Sequence, residues 1–262
     1  MVDWWGGNFD PNGKRIVRFN GKHWFVKFKP DPEERRRDYL AYLLGRNWAN
    51  IAEVRPLSES EFAELQSADI ALPDWASADN TFLVRLVQDY SLDQLPKVDL
   101  NSAVASELVF SLWIRRRDAH TANRGYIDGI PVFFDHQTAL LGEIHLRTLD
   151  VFFQVVPDAG YACRWRVEEI GTAIDISTAE LRRIGKARDV SLHVVSNREC
   201  FSQAIQAAAE QVDSQNRVDW FTKALEAGYS EPGAIEVTKF LVRTCKELEA
   251  AIERMRSVIF SP

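Results

Sequence analysis

Between residues 115 and 136 the chain runs Arg115-Arg116-Arg117-Asp118-Ala119-His120-Thr121-Ala122-Asn123, then from Gly125 to Asp135-His136. A carboxylate, Asp118, stands five residues before an amide, Asn123, and a second carboxylate, Asp135, stands twelve residues after that amide. Magnesium is a hard cation. It takes one or two oxygens from protein and leaves its other positions to phosphates and water. Asn123 and Asp135 offer such oxygens from opposite sides of a loop. Asp118, at the start of the loop, is placed to orient an acceptor hydroxyl and to receive its proton. These are the groups that phosphoryl transfer requires. Singly, each of the three is as well explained as a turn or cap residue. Their joint spacing, after a helix and around a hairpin, favours chemistry.

Phosphoryl transfer also needs a strand lysine on the α- and β-phosphates and a helix carboxylate to hold that lysine. Lys27 lies in Val26-Lys27-Phe28, and Glu33, Glu34 and Asp38 follow on the next element. The expected pair is Lys27 with Glu34. Lys29 shares a strand face with Lys27 and is the alternative. The adenine would be met just after the next strand, at 87–90, through Gln88 and Tyr90. Between Lys14 and Asp38 there are nine Lys and Arg against four Asp and Glu, in a chain of net charge -6. A positive strip of that kind suits a polyphosphate, although Arg35-Arg36-Arg37 reads equally as a solvated helix face. Trp5-Gly6-Gly7-Asn8 and Asn12-Gly13-Lys14 are glycine-containing turns. Neither is a GxGxxG or Walker sequence.

Several elements must position these residues. Asn20-Gly21 separates the runs 14–19 and 22–29 and is a strong hairpin signal. In the second run Trp24, Val26 and Phe28 fall on one face, and His23, Phe25 and Lys27 on the other. Pro30-Asp31-Pro32 ends it. Residues 33–45 read as a helix carrying Tyr39, Leu40, Leu43 and Leu44, with Gly45 as its terminal glycine. Residues 82–87 read as a strand. A helix with Val104, Ala105, Leu108, Leu112 and Trp113 as its stripe precedes the loop, capped by Asp99, Asn101 or Ser102. After the loop, 125–127 and 131–134 form a hairpin across Asp128-Gly129.

The remainder is expected to be helical. Ser177-Thr178-Ala179-Glu180 reads as a capping box. Phe201, Ala204, Ile205, Ala208 and Val212 make one amphipathic stripe. Val237, Leu241, Cys245, Leu248, Ile252, Met255 and Ile259 make another. That second stripe has the spacing of a coiled-coil seam, but it is better read as a long helix packed on its own domain.

The pattern Asp118-x-His120-x-x-Asn123, followed by a strand ending in Asp135, resembles the catalytic and metal-binding loops of protein kinases. It is similar more specifically to the HipA-like kinases, and also to the phosphatidylinositol 3- and 4-kinases. Phe110-Ser111-Leu112-Trp113-Ile114 and Phe133-Phe134-Asp135-His136 are likewise similar to the HipA-like group. The resemblance covers most of residues 14–140.

It implies an α+β, two-lobed protein-kinase-like fold, with a small β-rich N-lobe over 1–90 and a mostly helical C-lobe over 91–262. It also implies an ATP- and Mg²⁺-dependent serine/threonine kinase. Asp118 would be the catalytic aspartate, with Asn123 and Asp135 on the metal and Lys27 and Glu34 at the phosphates. The arginine usual after the aspartate is here Ala119, so its role would pass to Arg116, Arg117 or Arg124. Two other readings stay open: a kinase of a lipid or small-molecule hydroxyl, and a non-catalytic nucleotide-binding interaction module. His120 and His136 beside the aspartates also offer a zinc or iron ligand set, though both belong to the kinase-like motif.

Composition bounds the class. The chain has 262 residues, 46% hydrophobic and 27% charged, with 8 Trp, an ordinary globular make-up. The overall charge of -6 argues against a surface built for nucleic acid. Cys163, Cys200 and Cys245 are odd in number and far apart, which argues against a disulfide framework or zinc site. No apolar run approaches the roughly 18 residues of a membrane span, and the N-terminus has no signal-peptide pattern. The expectation is a cytoplasmic protein whose oligomeric state the sequence leaves open.

Overall fold

A computed structural model of the chain describes residues 5–8, 15–68, 72–87, 101–116, 124–127, 130–137, 139–140, 146–156, 160–169, 191–195 and 198–259. The Asn20-Gly21 hairpin is formed as expected. Both turn residues take positive φ, 50° and 73°, which matches the twist of the strands they join. The strands are β2 (Arg15–Phe19) and β3 (Lys22–Phe28), with Val17 opposite Trp24. With β1 (Trp5–Asn8), β4 (Val54–Pro56) and β5 (Thr81–Arg85) they make an antiparallel sheet in the order β1-β2-β3-β5-β4.

Alternation gives this sheet two apolar faces. Val17, Phe19, Trp24, Val26 and Leu83 pack with Phe62 and Leu65 of α2 (Glu59–Ser67). Phe82, Val84 and Val54 pack with Tyr39 and Tyr42 of α1 (Pro32–Gly45). Lys27 lies opposite Phe82 and therefore on the α1 side.

Helix α1 starts where the side chain of Asp31 accepts from the Glu33 N–H, with Pro32 as its first residue; both suit a helix start. It is covered on two sides. Tyr39 and Tyr42 meet the sheet, while Leu40, Ala41, Leu43 and Leu44 join a second core. That core holds Ala105, Leu108, Val109, Phe110, Leu112 and Trp113 of α3 (Asn101–Trp113). It continues into α4 (Arg198–Asp213), α5 (Arg217–Glu226) and α6 (Glu231–Ile259). Leu241, Leu248 and Ile252 of α6 are buried here, so its apolar stripe is spent inside the chain. Gly45 does end α1, but not through a left-handed turn. A Cβ on it would meet Ile51 Cδ1 at 2.2 Å and Phe110 Cε2 at 3.0 Å. The glycine is there for close packing.

The second hairpin is β6 (Arg124–Ile127) and β7 (Ile130–Phe133). Phe133 also bonds to the α1–β4 connection: its N–H donates to the Asn50 carbonyl at 3.0 Å, and its carbonyl accepts from Ala52 N–H at 2.8 Å. This ties the end of the hairpin to the first sheet.

The expectation of a helical remainder fails at one place. Strands β8 (Leu146–Val156), β9 (Gly160–Glu169) and β10 (Ser191–Val195) form an antiparallel sheet in the order β10-β9-β8. Runs such as Val151-Phe152-Phe153 and Val155-Val156 are β-branched and aromatic, which favours strand. Helix α6 packs against β8, and α3 against β10. The capping box expected at 177–180 lies outside the described residues. The whole is a mixed α+β fold with small antiparallel sheets and several helices. Among the described residues no helix is long and apolar enough to cross a membrane.

Candidate functional site

Three charged side chains meet between β3, α1 and the segment after β7. The Lys27 ammonium lies 3.2 Å from Asp135 Oδ1 and 3.7 Å from Asp38 Oδ2. Asp38 is fully buried, while Lys27 and Asp135 keep 19% and 23% of their side-chain surface exposed. The cluster therefore has a closed side, formed by α1, and an accessible side.

The expected Lys27–Glu34 pair does not form. Glu34 pairs instead with Lys29, at 3.1 Å. The reason is register. Residues two apart on a strand advance about 6.6 Å, and residues four apart on a helix advance about 6 Å. Strand and helix run antiparallel here, so Lys29 meets Glu34 at one level and Lys27 meets Asp38 at the next. Asp38 was among the acids expected on this helix, but the sequence carries no signal for which turn would dock.

The backbone around Asp135 is held by side chains. Asp135 takes a φ of 65°, in the left-handed region that Asp tolerates better than most residues. On its N-terminal side, Arg116 Nη2 donates to the Phe134 carbonyl at 2.7 Å. On its C-terminal side, the His136 N–H donates to Asp38 Oδ1 at 2.7 Å, and Arg37 Nε donates to the Gln137 carbonyl at 2.6 Å. Arg116 is itself buried and lies 3.5 Å from Glu107. It is the member of the Arg115–Arg117 run nearest to the role left open by Ala119. Sequence reasoning missed Arg37 and the backbone contacts altogether.

The electrostatics divide the two carboxylates. Burial pushes the Asp38 pKa up, and Lys27 opposes it. Burial is also the largest influence on Asp135 and would raise its pKa. The ammonium groups of Lys27 and Lys29 and the Arg116 guanidinium together outweigh burial and hold it below the usual carboxylate range. Asp135 is thus the group kept ionised at neutral pH. His136 is buried against the Phe110 ring, 5.8 Å between centroids. Burial, then the nearby Arg116 and Lys27 cations, hold its pKa well below the ordinary histidine value. It is a neutral imidazole here.

This arrangement fits an anionic ligand carrying a hard cation. Lys27 Nζ is buried and makes no contact of hydrogen-bond geometry among the described residues besides its ion pairs, although an ammonium has three donors. Asp135 is ionised, partly exposed and surrounded by cations. Among the described residues no group of three or more His, Cys, Asp or Glu could hold a metal, which disfavours a zinc or iron centre there. Magnesium needs only one or two protein carboxylates when phosphates supply the rest. Asp118, Asn123, Gln88 and Tyr90 lie outside the described residues, so the structure places Lys27, Glu34 and Asp135 of the expected set.

No protein-family model matches the chain, and no curated protein matches it either. Among solved structures, the chain is similar to one described as a Helicobacter pylori proinflammatory kinase, CtkA. The identity is 10%, the TM-score is 0.48, and the match covers 100% of this chain and 98% of that one. At that TM-score the likeness carries no argument.

Proposed function

We propose that the chain is an ATP- and Mg²⁺-dependent phosphotransferase with a two-lobed, kinase-like fold, resembling the HipA-like serine/threonine kinases. The observation that carries this reading is the strand lysine Lys27, set between a buried helix carboxylate, Asp38, and an ionised loop carboxylate, Asp135. A lysine held this way from behind presents its charge forward, where α- and β-phosphates would bind. The lobes would divide near residue 90, with the site between them.

In this reading Lys27 binds and orients the phosphates, and Asp38 fixes Lys27. Asp135, with Asn123, would hold magnesium, which when bound neutralises charge on the transferring phosphoryl group. Asp118 would take the proton of the acceptor hydroxyl. The acceptor class proposed is a protein Ser or Thr hydroxyl, as the family resemblance implies.

The test is transfer of the γ-phosphate of labelled ATP to a panel of proteins, lipids and small alcohols. Asp118→Asn and Asp135→Ala are each expected to reduce transfer by at least about 10²-fold, the scale of a lost general base or charge stabiliser. Transfer that survives both substitutions would contradict the mechanism. Transfer to lipid or small alcohol alone would keep the site and change the acceptor.

A further inference from the structure

Beyond β7 the chain leaves the hairpin ladder, and its backbone groups need other partners. Charged side chains supply them on both flanks of Asp135, a residue in the left-handed conformation. Two of these side chains, Arg37 and Asp38, are consecutive on α1. One donates to the carbonyl of Gln137 and the other accepts the N–H of His136.

We infer that Arg37 and Asp38 form a clamp on α1 that positions Asp135, so that the metal-binding competence of Asp135 depends on residues that never touch the metal. The inference rests on the phosphotransferase reading above and assigns that site two further positioning residues. Asp38 has a double task, since its other oxygen faces Lys27. Arg37 has no such second task among the interactions described: its Nε bond goes to the backbone after Asp135. Substituting Arg37 therefore loosens the clamp and leaves the lysine's partners in place. Arg37 is only half-buried, so its removal spares the core.

The experiment titrates magnesium against ATP binding for wild type, Arg37→Ala and Arg37→Lys, with ATP binding in EDTA as the reference. Outer-shell partners of a metal ligand are worth about 10–100-fold in metal affinity. Arg37→Ala is expected to raise the magnesium needed for half-maximal binding by about 10-fold or more, with metal-free ATP binding unchanged. Arg37→Lys, which keeps a donor, is expected to restore most of the loss.

Amide exchange gives a readout without ligand. The 134–137 segment is expected to exchange faster in Arg37→Ala, while α3 and β3 exchange as in wild type. A wild-type magnesium dependence in Arg37→Ala, or equal failure of the Ala and Lys variants, would overturn the clamp and leave the phosphotransferase reading standing. If wild type binds no ATP under any condition, that reading falls and takes the inference with it.

Discussion

At the scale of single residues, Asp38 and Glu34 offer a direct contrast. Both are acids on α1 paired with a strand lysine, but Asp38 is fully buried and Glu34 keeps 35% of its side-chain surface exposed. Removing Asp38 strips the His136 N–H of its acceptor and Lys27 of one counter-charge. Asp38→Ala is expected to cost about 1–3 kcal/mol, the price of an unsatisfied buried donor. Glu34→Ala is expected to cost at most about 1 kcal/mol, as a part-exposed ion pair. Urea unfolding of the two variants decides the order, and equal costs would contradict the observed pairing.

His136 gives a pH dependence with a definite sign. Its folded-state pKa is depressed, while in the unfolded chain it titrates near 6.5. The stability it contributes is fully present above that unfolded value. It is lost as pH falls below about 6.5, by up to about 1.4 kcal/mol per pH unit. Unfolding midpoints measured from pH 8 to 5 are expected to fall on the acid side, and less steeply in His136→Gln.

Lys27 and Asp135 were legible because residue type and spacing alone mark them. The choice of Asp38 over Glu34 was not, because it depends on how far the helix slides along the strand before docking. Arg37 left no signal, since in sequence it is one of three arginines on a charged turn.

At the scale of elements, the legible parts were those with local signals. The hairpin at Asn20-Gly21, the helix after Pro32, α3 and the stripe of α4 all fall where turn chemistry and periodicity put them. The three-stranded sheet of β8 to β10 was not expected, although its β-branched and aromatic runs were visible. The helical character of the flanking segments hid it.

Two elements give checks of their own. At the start of α2 the Ser58 side chain accepts from the Glu61 N–H, while the Glu61 carboxylate accepts from the Ser58 N–H and meets Arg55. Burial opposes ionisation of Glu61, but the Ser58 N–H and Arg55 win and hold its pKa low. Its contribution is present above the unfolded value of about 4.3 and lost as pH falls through the folded one. Glu61→Gln is expected to cost about 0.5–2 kcal/mol at pH 7 and markedly less at pH 3. At the end of α1, Gly45→Ala forces a Cβ onto Ile51 and Phe110 and is expected to cost about 1–3 kcal/mol by overpacking. A neutral result in thermal unfolding would mean that the Ile51 side chain moves aside freely.

At the scale of the whole molecule, α1 is the piece that everything meets. The first sheet packs on one side of it and the α3–α6 core on the other, and its charged residues hold Lys27 and the flank of Asp135. A net charge of -6 coexists with a local gathering of Lys27, Lys29 and Arg116 around one carboxylate. That local field, set against the overall charge, is what a polyphosphate carrying a cation would recognise.

The most direct measurement is thermal unfolding of wild type and Asp135→Ala, each with ATP alone, magnesium alone, and both together. Ligand at 100-fold its dissociation constant adds about 2.7 kcal/mol, which for a chain of this size is roughly 5–10 °C. The account expects a rise of that order in wild type when ATP and magnesium are both present, and its loss in Asp135→Ala. No shift in wild type with any nucleotide, or an equal shift in the variant, would contradict it.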